Sequence, residues 1–89
     1  MAVTVDPADV VTPRQLELLA LYASGDDIPT IAKKKFLHPR TVQNTMYAAR
    51  NNLEAKSLTN LCVMLVDAGL LRRNGVGYKP VQAERVVGE

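Results

Sequence analysis

Hydrophobic residues recur at helical spacing between Val11 and Gly69. Residues three or four positions apart share one face of an α-helix, so each run predicts a helix that buries that face. Three runs carry the pattern: Leu16, Leu19, Ala20 and Ala23; then Val42, Met46, Ala49 and Leu53; and finally Leu58, Leu61, Cys62, Met64, Leu65, Val66 and Ala68. The pair Ile31–Ala32 supplies the inward contacts of one further, shorter helix. The pattern therefore predicts a compact, all-α domain of four helices.

Capping residues place the ends of the first two helices. Thr12 and Gln15 form a capping box around Pro13, whose missing N–H costs nothing in a first turn. Gly25 is suited to a left-handed stop, so we expect the first helix at about residues 13 to 24. Asp27 caps a second helix at about residues 28 to 35.

A tight turn and two further caps define the second half of the domain. Pro39 disfavours a helical conformation at His38, so the chain must turn before a third helix at about residues 39 to 53. Ser57 caps the fourth helix and Gly69 closes it. The apolar residues of this fourth helix cover more of its circumference than one small core needs, which predicts a partner surface.

The C-terminal segment supports two interpretations. Asn74-Gly75 suits a tight turn between residues 70–73 and 76–79, which predicts a short hairpin. Because an isolated hairpin is marginal in water, a partly disordered tail is equally expected. The expected organisation is a flexible leader at 1–10, a domain at 11–70, and a hairpin or tail at 71–89. A hairpin bearing Arg72, Arg73 and Lys79 would be a candidate DNA-contacting wing.

Composition and charge narrow the function. The chain has 89 residues, no Trp and a formal net charge of +2, and 47% of its residues are hydrophobic. A chain of this length buries only about 60% of its unfolded surface, which leaves little room for an enclosed catalytic cavity. Residues 1–27 carry one cation against five carboxylates, whereas residues 28–61 carry six cations against one carboxylate. The middle of the chain is therefore the candidate surface for a polyanion.

Catalytic and metal-dependent functions are not expected. The chain has one histidine and one cysteine, no glycine-rich phosphate loop and no metal-ligand spacing. His38 is expected to be a turn residue whose side chain either caps the third helix or contacts a phosphate, and Cys62 to be a small buried hydrophobe. We predict no catalytic residues, no cofactor and no metal. The absence of a long apolar run or a signal peptide leads us to expect a cytoplasmic protein.

The third helix has the features of a DNA-reading element. Its outward stripe contains Asn44, Tyr47 and Asn51, which are polar but uncharged. A short helix, a tight turn and a longer amphipathic helix form the geometry in which the second helix of the pair enters the major groove. This order of parts predicts a helix-turn-helix that binds double-stranded DNA.

Several spaced elements resemble the LuxR or GerE class of bacterial helix-turn-helix domains. They are Val11 to Leu19 (VTPRQLELL), Ala23-x-Gly25, Ile31-Ala32 and Thr41 to Asn44 (TVQN), and the likeness covers roughly residues 11 to 70. The resemblance implies a sequence-specific transcription regulator that reads bases with helix 3 and dimerises through helix 4. It also implies that Gln43, Asn44 and Tyr47 face the bases, where amide side chains suit adenine N6 and N7.

The sequence departs from the family pattern at four positions. Gln43, Thr45 and Asn52 replace the usual Lys, His and Lys, and His38 replaces the usual capping Ser. Phosphate affinity below the family's typical value is therefore expected.

Phosphate contacts and a dimer interface complete the expected site. Cations fix register and carry the salt dependence of binding without reading bases. The predicted phosphate-binding residues are Lys33, Lys34, Lys35, Arg40, Thr41, Arg50, Asn51 and Lys56. Two of the three consecutive lysines are expected to face DNA. The predicted homodimer interface consists of Leu58, Leu61, Cys62, Leu65 and Val66.

One alternative function and one question of regulation stay open. Thr41-Val42 with Ala49-Arg50 also resembles the promoter-reading region of sigma factors, which predicts a module that docks RNA polymerase or another regulator and binds DNA weakly. Fold alone does not separate the two functions. Proteins of the LuxR class often carry an N-terminal receiver or ligand-binding domain, for which the leader is too short, so either expression controls the protein or the chain is a fragment.

Overall fold

The computed structural model describes residues 10–81, so the expected leader, apart from Val10, and residues 82–89 lie outside the described part. The elements follow in the order α1 Pro13–Ala23, α2 Ile28–Lys35, α3 Pro39–Asn52, α4 Leu58–Asp67, β1 Leu71–Asn74 and β2 Gly77–Pro80. All four predicted helices are present, and the predicted ends of the first three differ from the observed ends by at most one residue. Among residues 10–81, none of the helices combines the length and the hydrophobicity needed to cross a bilayer.

Each helix begins where its sequence supplies a cap. The Oγ1 of Thr12 accepts the Gln15 N–H at 3.1 Å, and the Gln15 Oε1 accepts the Thr12 N–H at 2.9 Å, which completes the predicted capping box. Asp27 accepts the Thr30 N–H at 3.0 Å. Hydrogen bonds from the Thr30 side chain and backbone lower the pKa of the Asp27 carboxyl. The Ser57 Oγ likewise accepts the N–H three residues ahead at 3.0 Å.

One aliphatic core joins the four helices to the start of the hairpin. Leu18, Leu19, Ile31, Leu61 and Leu65 are fully buried within it. The remaining buried members are Val11, Leu16, Ala20, Ala32, Val42, Met46, Ala49, Ala55, Leu58, Cys62, Leu70 and Leu71. The predicted helix faces are largely the buried faces. On α1, Leu18, which the periodic pattern omitted, lies in the core, and Ala23 is only half-buried; on α4 and its C-cap, Val66 and Ala68 are exposed.

The C-terminal hairpin is ordered, so the expectation of an all-α fold was incomplete. β1 and β2 pair antiparallel, with Leu71 opposite Pro80 and Asn74 opposite Gly77. The two central turn residues are therefore Gly75 and Val76, one position later than predicted. Gly75 has φ of +65°. Only the first central residue of the turn has positive φ, which is the pattern of a type II′ turn with glycine first.

The hairpin is fastened to the C-terminal end of α1 by Ser24. The Tyr78 N–H donates to the Ser24 Oγ at 2.7 Å, and that hydroxyl donates to the Ala20 carbonyl at 2.7 Å. A Cβ on Gly77 would lie 2.9 Å from the Ser24 Oγ, so a side chain at this position would have to displace the hydroxyl that holds the hairpin. β2 packs mainly on α1 and β1 touches α4. Contacts with α1 and α4 thus hold the hairpin in place in the absence of DNA. Its role as a DNA-contacting wing stays a prediction.

Candidate nucleic-acid interface

Helix α3 has one face inside the core and the opposite face in solvent. Val42, Met46 and Ala49 have no exposed surface. They pack against α1, α2 and α4, which hold the helix from three sides. Leu53, expected to be buried with them, caps the helix and is half-buried. Because the buried set follows one helical stripe, the remaining side chains of α3 are fixed in direction.

The outward face of α3 brings the predicted base-facing residues together. Gln43 and Asn44 are exposed, and Tyr47 retains 38% of its surface. Arg40, Thr41 and Asn51 are also exposed on this helix. Helical spacing aligns positions 40, 44, 47 and 51 in one stripe, with 43 beside it. The result is a ridge of amide, hydroxyl and phenol groups with a cation at its N-terminal end.

Two side chains outside this ridge set the position of α3. The His38 Nδ1 accepts the Arg40 N–H at 3.2 Å, so His38 caps the helix, which is one of its two predicted roles. The Gln15 Nε2 donates to the Thr45 carbonyl at 3.4 Å, and Gln15 is a buried polar residue. The sequence pattern predicts Gln15 only as part of the capping box and does not indicate this second contact. The partner lies 30 residues away, so no local pattern signals it.

The three consecutive lysines of α2 have different surroundings. The Lys34 Nζ lies 2.7 Å from the Asp26 Oδ2, and the Lys35 Nζ lies 2.6 Å from the Glu17 Oε2. Lys33 is exposed, and within residues 10–81 no carboxylate pairs with it. The sequence pattern predicts that two of the three lysines face DNA, and this stays a prediction. Of the three, Lys33 is the one whose charge has no carboxylate partner in the described part of the chain.

A polar cleft lies between the C-terminal half of α3 and the start of α4. Its volume is about 520 Å³. The side chains around it are Tyr22, Tyr47, Arg50, Asn51, Lys56, Ser57, Leu58 and Thr59. Arg50 and Lys56 thus share one opening with two residues of the α3 ridge. Tyr22, Ser57 and Thr59 were not predicted as site residues, because α1 and α4 approach α3 only in the folded chain.

Helix α4 uses most of its apolar surface within the monomer. Leu58, Leu61, Cys62 and Leu65, four of the five predicted dimer-interface residues, are buried in the chain's own core. Val66 remains 41% exposed, and Val63 is 53% exposed on the same side of the helix. The apolar surface that α4 leaves exposed is therefore smaller than the sequence indicated, because α1 and the first strand of the hairpin cover part of the helix. The apolar surface left to a partner centres on these two valines.

A groove of about 380 Å³ runs beside the exposed valines. Its walls include Tyr22 and Cys62, with Tyr78 of β2 at one side. Burial raises the pKa of the Cys62 thiol from 9.0 to about 11. The thiol donates weakly to the Leu19 carbonyl, with 3.8 Å between sulfur and oxygen. Cys62 is therefore protonated at neutral pH and fits the predicted role of a buried hydrophobe.

The described residues contain no group of His, Cys, Asp and Glu side chains arranged to hold a metal ion.

A comparison with protein families matches residues 9–65 to the bacterial regulatory proteins of the luxR family. The matched segment contains α1, α2 and α3 and most of α4, and it ends before the hairpin. No curated protein and no solved structure matches the chain.

Proposed function

Because the chain belongs to the LuxR family of bacterial regulatory proteins, whose helix-turn-helix domains bind DNA and regulate transcription, we propose that it reads a specific duplex sequence by inserting α3 into the major groove. The observation that carries this proposal is that α3 has a buried apolar face and an exposed polar face. Val42, Met46 and Ala49 are fully buried, and the opposite side presents amide and phenol groups to solvent. The major groove admits an α-helix in this orientation.

Base recognition is assigned to Gln43, Asn44 and Tyr47. A carboxamide offers one acceptor and two N–H donors, and this pair of functions matches N6 and N7 of adenine. The exposed positions of Gln43 and Asn44 leave both amides accessible to a base edge. We therefore expect adenines in the recognised sequence, with the Tyr47 ring packing beside them.

Contacts to the DNA backbone are assigned to four cations for which residues 10–81 show no carboxylate partner, and to two neutral donors. Lys33, Arg40, Arg50 and Lys56 supply the charge. The Thr41 hydroxyl and the Asn51 amide lie on the same helix and add neutral hydrogen bonds. Phosphate contacts of this kind fix the register of a protein on DNA and supply most of its salt dependence.

Selection of genomic fragments by the purified chain tests the proposal. Bound fragments are recovered at a stated salt concentration, sequenced, and compared with input DNA. The proposal expects enrichment of a short common sequence that contains adenines. Recovery without any common sequence would contradict sequence-specific reading. A parallel pull-down with RNA polymerase tests the alternative, since polymerase binding without DNA binding would favour a docking module.

The proposed regulator acts as a homodimer through the outer side of α4. Val63 and Val66 are the exposed apolar residues there, one helical turn apart and bordered by the 380 Å³ groove. Two symmetry-related copies of this strip would bury both valines on each side. A two-fold dimer of helix-turn-helix domains binds two half-sites, so the selected sequence is expected to contain an inverted repeat.

Sedimentation of a matched pair of variants tests this interface. Val66→Asp places a charge on the α4 strip, whereas Val76→Asp makes the same change at the hairpin turn, where the valine is 99% exposed. We expect Val66→Asp to lower the dimer fraction and Val76→Asp to leave it unchanged. Equal sedimentation of wild type and both variants would contradict a dimer through α4.

A further inference from the structure

Arg50 contacts two of the side chains that we propose to bind DNA. Its Nη1 donates to the Asn51 Oδ1 at 3.0 Å, and its guanidinium carbon lies 5.8 Å from the centre of the Tyr47 ring. The second distance is within the range of a cation–π contact. Arg50 is half-buried beside the polar cleft, whereas its two partners lie on the exposed ridge. One planar cation therefore contacts both neighbours.

The hydrogen bond from Arg50 changes what Asn51 offers to DNA. An amide has two N–H donors and an acceptor oxygen with two lone pairs, and Arg50 takes up one of those lone pairs from the side of the oxygen that faces it. The outward part of Asn51 is then mainly a donor. A donor suits phosphate oxygens, which only accept, and does not suit bidentate pairing with adenine, which needs an acceptor as well.

Asn44 differs from Asn51 in this respect. Within residues 10–81, no hydrogen bond engages the Asn44 amide, so its oxygen and its nitrogen are both available. On one helix, the Asn44 amide thus offers both an acceptor and donors, whereas the Asn51 amide offers mainly donors. The difference comes from the neighbour that one amide has and the other lacks.

We infer that Arg50 is a positioning residue, which holds Tyr47 against the base edges and turns Asn51 into a phosphate donor. This assignment rests on the proposed function of α3 and makes it more specific. Arg50 then contributes through geometry as well as charge. A lysine keeps the charge but lacks the planar fork that stacks on a ring and donates sideways at once. The two contributions can therefore be separated by substitution.

The test compares Arg50→Lys with Lys56→Gln on a selected site and on random DNA over a series of salt concentrations. For Arg50→Lys we expect an unchanged salt slope, and a loss of discrimination between the two DNAs of about two- to fivefold, the value of an exposed cation–π contact. For Lys56→Gln we expect discrimination to be kept and the log-log slope to become shallower by about 0.9, because one phosphate contact is lost.

A double variant separates positioning from general damage. If Arg50 acts through the ring, adding Arg50→Lys to Tyr47→Leu costs no further discrimination, since the contact is already gone. Thermal unfolding of each variant checks that the fold is kept. Wild-type behaviour of Arg50→Lys, or additive losses in the double variant, would overturn the inference while leaving the proposed function intact. A wild-type chain with no preferred sequence would overturn both.

Discussion

The salt dependence of DNA binding distinguishes the four cations that we assign to phosphates from Lys34 and Lys35, which pair with carboxylates. Each neutralised phosphate contributes about −0.9 to the slope of log affinity against log salt. Lys33, Arg40, Arg50 and Lys56 together predict a slope near −3.6, whereas including the paired Lys34 and Lys35 predicts about −5.4. Between 50 and 200 mM salt the first slope corresponds to a loss of affinity of about 150-fold, and the second to about 1,800-fold.

Two adjacent substitutions make this prediction specific. Lys33→Gln removes an uncommitted charge and should make the slope shallower by about 0.9. Lys34→Gln removes a charge that lies 2.7 Å from Asp26, so the slope should change little. Fluorescence anisotropy with a labelled selected site, read at five or more salt concentrations, measures both. Equal changes for the two variants would refute the reasoning, because they would show that the ion pair opens freely in the complex.

Three further predictions concern stability. Gly77→Ala forces a Cβ to within 2.9 Å of the Ser24 Oγ and should lower the free energy of unfolding by about 1–3 kcal/mol, with faster amide exchange at Tyr78; an unchanged urea midpoint and exchange rate would contradict the close approach. Glu54 has φ of +56°, so Glu54→Gly should raise that free energy by about 0.5–1 kcal/mol and Glu54→Ala should not; equal effects would contradict backbone strain. Burial raises the pKa of Cys62 from 9.0 to about 11. In the pH window between these two values the folded state therefore binds more protons than the unfolded state. Stability relative to a Cys62→Ala control should therefore fall as pH rises through it, and parallel pH profiles would contradict burial of the thiol.

Helix placement could be predicted from the sequence because its signals are local. Thr12, Asp27, His38 and Ser57 each accept a backbone N–H within three residues, so the chain fixes these caps before tertiary packing matters. The helical spacing of Val42, Met46 and Ala49 likewise determines which side of α3 faces outward when these residues are buried. These features depend on spacing that the sequence displays directly.

The features that the sequence did not predict are contacts between distant segments and local backbone conformations. The ion pairs of Lys34 and Lys35 join residues 8 and 18 positions apart, and their carboxylates lie outside the lysine run. The apolar residues of α4 could not be divided between core and surface until α1 and the hairpin were placed. Phe36 adopts a left-handed conformation with φ of +57°, which is unusual for an aromatic residue. The hairpin turn moved by one residue because a type II′ turn needs glycine at its first central position.

The predicted dimer interface shows how contacts between distant segments change the candidate site. Periodicity selected five apolar residues of α4, and the fold retains Val66 as the exposed member of that set. Val63 is exposed nearby but was passed over, because its position falls outside the main apolar stripe. The exposure of the predicted base-facing residues was easier to predict, since α3 carries a single buried stripe and the positions opposite it lie in solvent.

The most direct test of DNA reading by α3 is the binding of Asn44→Ala to its selected site and to random DNA, measured side by side at one salt concentration. Asn44 is exposed, so the substitution leaves the core untouched. Direct reading predicts a loss of about 1–3 kcal/mol on the selected site and almost none on random DNA. Equal losses on both DNAs, or no loss on either, would contradict the central claim.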